Sequence, residues 1–461
     1  MQYKHIVSFE IMCIGVILSM ETRGDTMNRQ AIEQLCEWKN SNRRKPLIIR
    51  GARQVGKTWL MKEFGRQEFK NVVYVNVDSN QDIARLFSGD LDISRLLSGL
   101  EIFSKSKITP QNTLLIFDEV QEAPRALTSL KYFCEEAPEY AIVSAGSLLG
   151  VAMHQGTSFP VGKVDFLDLY PMSFTEFLNA TGDEQLVELL QKSDWQLITA
   201  LRDRFIEQLR LYYYIGGMPE AVQSYLDERD VFKVREIQKR ILDAYEQDFS
   251  KHAPANVGAR IRMVWQSIPS QLAKENRDFV YGSLRKGARA KDFELAIQWL
   301  KDCGLVDQVI RLSKPALPLP AYADNGFKMF LLDVGLLGAM SGLDAQTLLK
   351  GNELFSEFKG ALTEQYAAPQ LHSELGLSPF YWSAERATAE VDFLFQQGMN
   401  IYPLEVKAEE NLKAKSLKVY FDKYQPKLAI RSSMSDYRQE RWLLNLPLYA
   451  ISRLVSECQK Y

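Results

Sequence analysis

Apolar positions fall into short blocks over the first third of the chain and into longer helical runs after it. Leu47 to Ile49, Asn71 to Asp78 (NVVYVNVD), Leu114 to Asp118 and Ala141 to Ser144 are β-rich runs separated by helical segments. That alternation is the βαβ rhythm of a parallel sheet, and near-continuous apolar strands are those buried on both faces. Ahead of them, Asn28 to Lys39 places Ile32, Leu35, Cys36 and Trp38 at near-helical spacing, which predicts a helix before the first strand. One α/β domain is therefore expected from Leu47 to about Tyr170.

Beyond Tyr170 the period becomes helical. Ser173-Phe-Thr-Glu176 after Pro171 is a capping box and predicts a helix start. Helical spacing continues to about Lys251, interrupted at Gly216-Gly217 and restarted at Pro219. From about Asn256 to Ser313 the order is helix (Ile261 to Ala273), turn, helix (Lys291 to Asp302, stopped by Gly304) and strand (Leu305 to Leu312). That order is compatible with a winged helix. Lys314-Pro-Ala-Leu-Pro-Leu-Pro320 follows as a strand boundary or linker. A helix-like run, Phe358 to Leu371, then precedes two strand-like runs, Glu390 to Phe395 and Tyr402 to Lys407. A helix from Leu412 to Tyr424 and a strand from Leu428 to Ser432 close the pattern. The expected division is 1–26, an N-terminal extension; 27–170, an α/β core; 171–255, a helical unit; 256–330, a winged-helix-like unit; and 331–461, a second α/β unit.

Composition changes this picture little. The 461 residues are 46% hydrophobic and 25% charged, ordinary globular values that allow several buried cores. With 56 basic against 58 acidic residues the net charge is −2, so nucleic-acid contact would need a local patch. Arg285, Lys286, Arg289 and Lys291, clustered before the second helix of the winged-helix-like unit, are such a patch; the rival reading is a solvated face. The five cysteines are scattered without a C-x-x-C pair, which points to a reducing compartment and away from zinc. Ile11 to Met20 looks like a short signal-peptide core, but it falls short of the about 20 apolar residues a bilayer needs. It is read as an extension ahead of a start at Met27, with a cytoplasmic location and no stable membrane span expected.

The chemistry begins where the first strand ends. Gly51-Ala52-Arg53-Gln54-Val55-Gly56-Lys57-Thr58 fits G-x-x-x-x-G-K-[ST], with strand before and helix, opening at Trp59, after. In such a loop the glycines let backbone N–H groups wrap a triphosphate, the lysine reaches its β and γ phosphates, and the threonine hydroxyl ligates Mg²⁺. Leu114-Leu-Ile-Phe-Asp118-Glu119 ends a buried strand in two carboxylates, at the edge where ligands bind in open α/β sheets. There Asp118 would hold Mg²⁺ through water and Glu119 would orient and deprotonate the attacking water. Ser144-Ala-Gly146-Ser147 ends a third strand; Ser147 could touch the γ-phosphate, or the segment is a plain turn. Arg53, Arg125 and Lys163 are the candidates for a charge-neutralising finger.

GARQVGKT, LLIFDEVQ, SAGSLLG, YPMSFTEFL and YYYIGGMPEAV resemble the AAA-type ATPases of bacteria and archaea that carry a C-terminal domain of unknown function. The resemblance spans most of the chain from about Met27. It implies a P-loop NTPase parallel sheet with a helical lid at 171–255, ATP and Mg²⁺ as cofactors, and DNA, RNA or further copies of the chain as partners. Gly162-Lys163 stands where that family usually has Gly-Arg.

A second constellation lies near the C-terminus. Glu364 sits in the helix-like run, Asp392 in the first strand-like run, and Glu405 and Lys407, two apart, in the second. Period two puts Glu405 and Lys407 on one face, so Asp392 and Glu405 could share a divalent ion, with Lys407 steadying water or phosphate and Glu364 as an outer ligand. The order E…D…ExK resembles the PD-(D/E)xK nuclease superfamily, which implies metal-dependent phosphodiester cleavage. The competing reading is a binding module that keeps these acids without turnover. None of the four histidines, His5, His154, His252 and His372, forms a metal-like pair.

Overall fold

The computed structural model describes residues 27–78, 81–146, 159–254, 256–274, 278–345, 356–384, 389–408 and 414–461. The extension at 1–26 and Ser147 lie outside them.

Five strands form the first sheet: β1 (Leu47–Arg50), β2 (Asn71–Asn76), β3 (Thr113–Asp118), β4 (Ala141–Ala145) and β5 (Asp165–Asp168), in the order β2-β3-β4-β1-β5. Every neighbouring pair is parallel. β3 is buried along its whole length, whereas β2 and β5 at the two edges alternate buried and part-exposed positions. Alternate residues feed opposite faces, as a period of two demands. Ile49, Leu114, Ile116 and Val143 enter a core that also contains Leu35, Leu60 and Phe64 from helices Ala31–Asn40 and Lys57–Glu68. Ile48, Leu115, Phe117 and Ile142 pack with residues of helices Gln81–Ser88, Ile93–Ser104 and Pro124–Glu136.

Helices between Phe174 and Lys251 follow. The capping box forms: Glu176 N donates to Ser173 Oγ at 3.3 Å and Ser173 N to Glu176 Oε2 at 2.9 Å. Gly216 and Gly217 are explained by close approach rather than by a mere break in the helix. A Cβ on Gly216 would collide with the Asp333 carboxylate, and one on Gly217 with the Met172 carbonyl. Asp333 accepts from Gly217 N at 2.6 Å and caps helix Val334–Met340 by accepting from Leu336 N at 2.8 Å. Burial pushes its carboxyl up to about 6.

The second sheet corrects the expected boundary at 330. It has eight strands among the described residues, β6 (Val306–Leu312), β7 (Ala323–Leu331), β8 (Phe380–Ser383), β9 (Glu390–Gln397), β10 (Asn400–Val406), β11 (Ala429–Ser433), β12 (Arg438–Gln439) and β13 (Leu443–Pro447), in the order β12-β13-β11-β10-β9-β8-β6-β7, and β6 and β7 belong to the segment read as winged-helix-like. They form an antiparallel hairpin, and β6 pairs in parallel with β8 (Phe380–Ser383). The boundary at 330 therefore falls inside β7, and the Pro-rich stretch is the connection of a hairpin, not a linker. Backbone pairing decided this, since an edge hairpin has the same local pattern whichever sheet it joins. β9 (Glu390–Gln397) and β10 (Asn400–Val406) are antiparallel. β10, β11 (Ala429–Ser433) and β13 (Leu443–Pro447) run parallel, and β12 (Arg438–Gln439) ends the sheet. Helix Ser356–Ser373 contributes Leu362, Tyr366 and Leu371 to one core, and helix Lys415–Tyr424 contributes Leu417 and Tyr420 to another across the sheet.

Candidate functional site

The loop between β1 and helix Lys57–Glu68 has positive φ at Gly51 (139°), Gln54 (65°) and Gly56 (94°). Left-handed turns of this kind point successive N–H groups into one concavity that suits an anion. Gly51 is obligatory: a Cβ there would collide with the Leu169 carbonyl. Lys57, the first residue of the helix, is buried and donates to Gly51 O at 2.8 Å and Ala52 O at 2.7 Å. Burial pulls its ammonium down to about 8, against the opposing pull of Glu119 and Asp118. Thr58 Oγ1 donates to Asp118 Oδ2 at 2.7 Å, and Tyr74 donates to the same oxygen at 3.0 Å. Burial and the Asp118 charge push the Tyr74 phenol up to about 12.

Asp118 is the last residue of β3, and Glu119 follows it with φ 55°. That backbone turn lifts Glu119 off the strand, where its Oε2 accepts from Gln121 Nε2 at 2.6 Å. The structure thus brings Lys57, Thr58, Asp118 and Glu119 to one end of the sheet. An anion-shaped loop facing one hydroxyl and two carboxylates fits a triphosphate with Mg²⁺, a hard cation that takes oxygen ligands. Thr58 and Asp118 would hold the ion. Trp59 lines a cavity of about 370 Å³ with Met27, Asn28, Ile32, Gln67 and Asn179.

The three finger candidates are engaged differently. Arg53 pairs with Asp248 of helix Val231–Lys251. Arg125 donates to Phe87 O at 3.2 Å and Gly89 O at 2.6 Å, and Lys163 pairs with Glu135 at 2.9 Å.

Several groups that no motif announces hold the loop. Arg29 donates to Val55 O at 3.1 Å, Tyr170 O at 2.7 Å and Glu176 Oε1 at 3.1 Å, tying the N-terminal segment to the loop and to helix Phe174–Thr181. Tyr245 donates to Arg53 O at 2.8 Å. Gly304, two residues before β6, is close enough that a Cβ would lie 3.2 Å from Ala52 N. The loop is therefore bonded to helix Val231–Lys251 and closely approached by the turn that enters β6.

At the second constellation, Asp392 on β9 accepts from Val406 N at 2.8 Å, and Lys407 pairs with Glu405 at 2.7 Å. Burial and the neighbouring Asp392 charge push the Glu405 carboxyl above its usual range. Glu364 is turned to a group sequence reading missed, Lys328 on β7, at 3.3 Å. Among the described residues no group of three His, Cys, Asp or Glu side chains is placed to hold a metal ion.

Arg285, Lys286 and Arg289 are exposed before helix Ala290–Asp302. That helix's exposed face reads Lys291, Glu294, Leu295 and Gln298, so it does not extend the positive charge. No described helix is long and apolar enough to cross a membrane.

Residues 43–178 match the family model AAA_14, an AAA domain. That stretch, which holds the phosphate loop and the first sheet, is an AAA-type, ATPase-like domain. Residues 206–347 and 359–449 match two domains of unknown function, DUF8612 and DUF4143. No curated protein matches the chain. Among solved structures it resembles the Walker-type ATPase PABY2304 of Pyrococcus abyssi at 15% identity and a TM-score of 0.44, over 69% of this chain and 97% of that one. It also resembles the Aeropyrum pernix ORC1 protein in complex with DNA (14% identity, TM-score 0.26, 68% and 91% covered). AMPPCP-bound DnaA from Aquifex aeolicus matches at 15% identity and a TM-score of 0.27, over 60% and 88%. At these scores the likenesses carry no part of the functional reading.

Proposed function

We propose that this chain binds and hydrolyses ATP with Mg²⁺ and uses the nucleotide state to set the position of its C-terminal domain, which acts on or binds nucleic acid. The observation that carries the reading is the Thr58–Asp118 contact at the mouth of the phosphate loop, with Lys57 and Glu119 beside it. Lys57 and the loop N–H groups bind and orient the triphosphate, and Mg²⁺ supplies charge neutralisation at the transferring phosphoryl group. Glu119, turned off the strand by its backbone, positions and deprotonates water. Ser147 stays a candidate for the γ-phosphate contact. The grip of Tyr245, Asp248 and Gly304 on residues 51–53 supports coupling, because a loop that reshapes around phosphate must shift against them.

For the C-terminal domain, Asp392, Glu405 and Lys407 support divalent-cation binding, and Arg285, Lys286 and Arg289 support phosphate-backbone contact. A second reading, an ATP-dependent switch whose C-terminal domain binds a partner without cleaving, is favoured by the pairing of Glu364 with Lys328. Mg²⁺-dependent ATP hydrolysis, measured with and without duplex or single-stranded DNA beside Lys57→Ala and Glu119→Gln, tests the proposal. The expected result is hydrolysis by wild type that DNA alters and that both variants lack. Hydrolysis indifferent to DNA, with Glu405→Ala and Lys407→Ala keeping biological activity, would move the conclusion to the switch.

A further inference from the structure

The acid cluster of the second sheet already contains a cation at its centre. Lys328 points inward from β7 with no exposed surface. Its ammonium lies 3.3 Å from Glu364 Oε2, pairs with Glu390 at the start of β9, and sits 5.1 Å from the ring centre of Tyr381 on β8. Three strands and a helix converge on one charge. Burial pushes the Glu390 carboxyl up while Lys328 pulls it down.

Two cations sharing one carboxylate in a low-dielectric interior repel strongly, and the Lys328 side chain, wholly buried, is not placed to swing aside as the Lys407 side chain, 39% exposed beside Glu405, is. Glu364 and Glu390 already serve an ammonium whose own side chain has no exposed surface. The other side of the cluster differs. Asp392 and Glu405 are 8% and 3% exposed, and Glu405 Oε2 is buried with no hydrogen-bond partner among the described residues. Glu405 is opposite Arg431 in the β10–β11 register, and the Arg431 charge acts on it.

Resting on the cation-site reading of Asp392 and Glu405 above, we propose that Lys328 is a built-in counter-ion standing in the place of a metal. It withdraws Glu364 from any ligand shell and confines divalent-cation binding in this domain to one ion at Asp392 and Glu405. On this proposal Glu364 serves as a partner of Lys328 rather than as a metal ligand.

The test is a Mn²⁺ titration of the full chain, stripped by chelator and carrying Asp118→Asn to remove the ion site of the ATPase domain. It is read by electron paramagnetic resonance and by thermal unfolding with and without Mn²⁺. The parent is expected to bind one ion; Asp392→Asn abolishes this, and Glu364→Gln leaves the affinity within about twofold. Lys328→Met is expected to unfold at lower temperature than the parent, to bind Mn²⁺ about tenfold tighter or to take a second ion, and to recover its unfolding temperature when Mn²⁺ is added. Adding Glu364→Gln to Lys328→Met removes that gain, and Lys328→Arg, which keeps the charge, shows none. A tenfold or larger weakening by Glu364→Gln alone, or no gain in Lys328→Met, overturns the proposal. If Lys328→Met does not fold, Lys328→Gln and the Glu364→Gln comparison decide. A parent that binds no Mn²⁺ ends the cation-site reading of Asp392 and Glu405, and Lys328 then stands or falls on the gain in Lys328→Met.

Discussion

Lys57 lies where its surroundings oppose its charge. Buried against two carbonyls of its own loop, it titrates at about 8, well below an ordinary lysine, although Glu119 and Asp118 pull the other way. A triphosphate beside it favours the charged form, so binding raises this pKa. Above pH 8 the free protein is then largely deprotonated there and must take up a proton to bind ATP. Calorimetry at pH 8.5 in buffers of different ionisation enthalpy should report net proton uptake of about three quarters per ATP; zero uptake would contradict the shift. The motif letters made the placement of Lys57 and Thr58 legible, because a strand, a glycine-bearing turn and a helix follow one another within a dozen residues. Arg29, Tyr245 and Lys328 were illegible, since each acts on a residue far away in sequence and carries no local pattern.

Among the elements, the Gly216-Gly217 break and the turn at Asp333 form one joint. Asp333 spends its two carboxylate oxygens on two backbone donors, Gly217 N through one and Leu336 N through the other. Asn at this position offers a single acceptor oxygen and sets an amide NH₂ against a backbone N–H. Asp333→Asn should therefore cost about 2 kcal/mol, read as a lower denaturation midpoint at unchanged m-value. The pH dependence has a defined sign. The folded-state carboxyl is raised from 3.8 to about 6, so the native state holds its proton longer than the unfolded chain. Stability then falls as pH rises between about 4 and 6 and levels off above, and Asp333→Asn should remove that slope. A glycine pair in a helical run reads locally as a break. The carboxylate 116 residues further on that requires it is visible only in the folded chain.

Across the whole molecule, the phosphate loop is a shared contact of three parts. Tyr245 and Asp248 reach it from helix Val231–Lys251, Gly304 from the entry to β6, and Arg29 from the N-terminal segment. ATP with Mg²⁺ should therefore change amide hydrogen exchange at residues 245–252 and 302–306 as well as at 51–58, and Lys57→Ala should abolish all three changes together. A change confined to 51–58 would separate the loop from the C-terminal sheet. What the sequence determined by itself is local: the β1–loop–helix unit, the acid-ended β3, the capping box at Ser173, and the strands bearing Asp392 and Glu405. Periodicity, turn chemistry and motif spacing act between residues a few positions apart, so a linear chain displays them. The tertiary structure alone decided that the β6–β7 hairpin joins the C-terminal sheet and that a lysine from it reaches Glu364. Strand partners and buried ion pairs are chosen by burial and hydrogen bonding between distant segments, and no window along the chain contains both sides of such a choice.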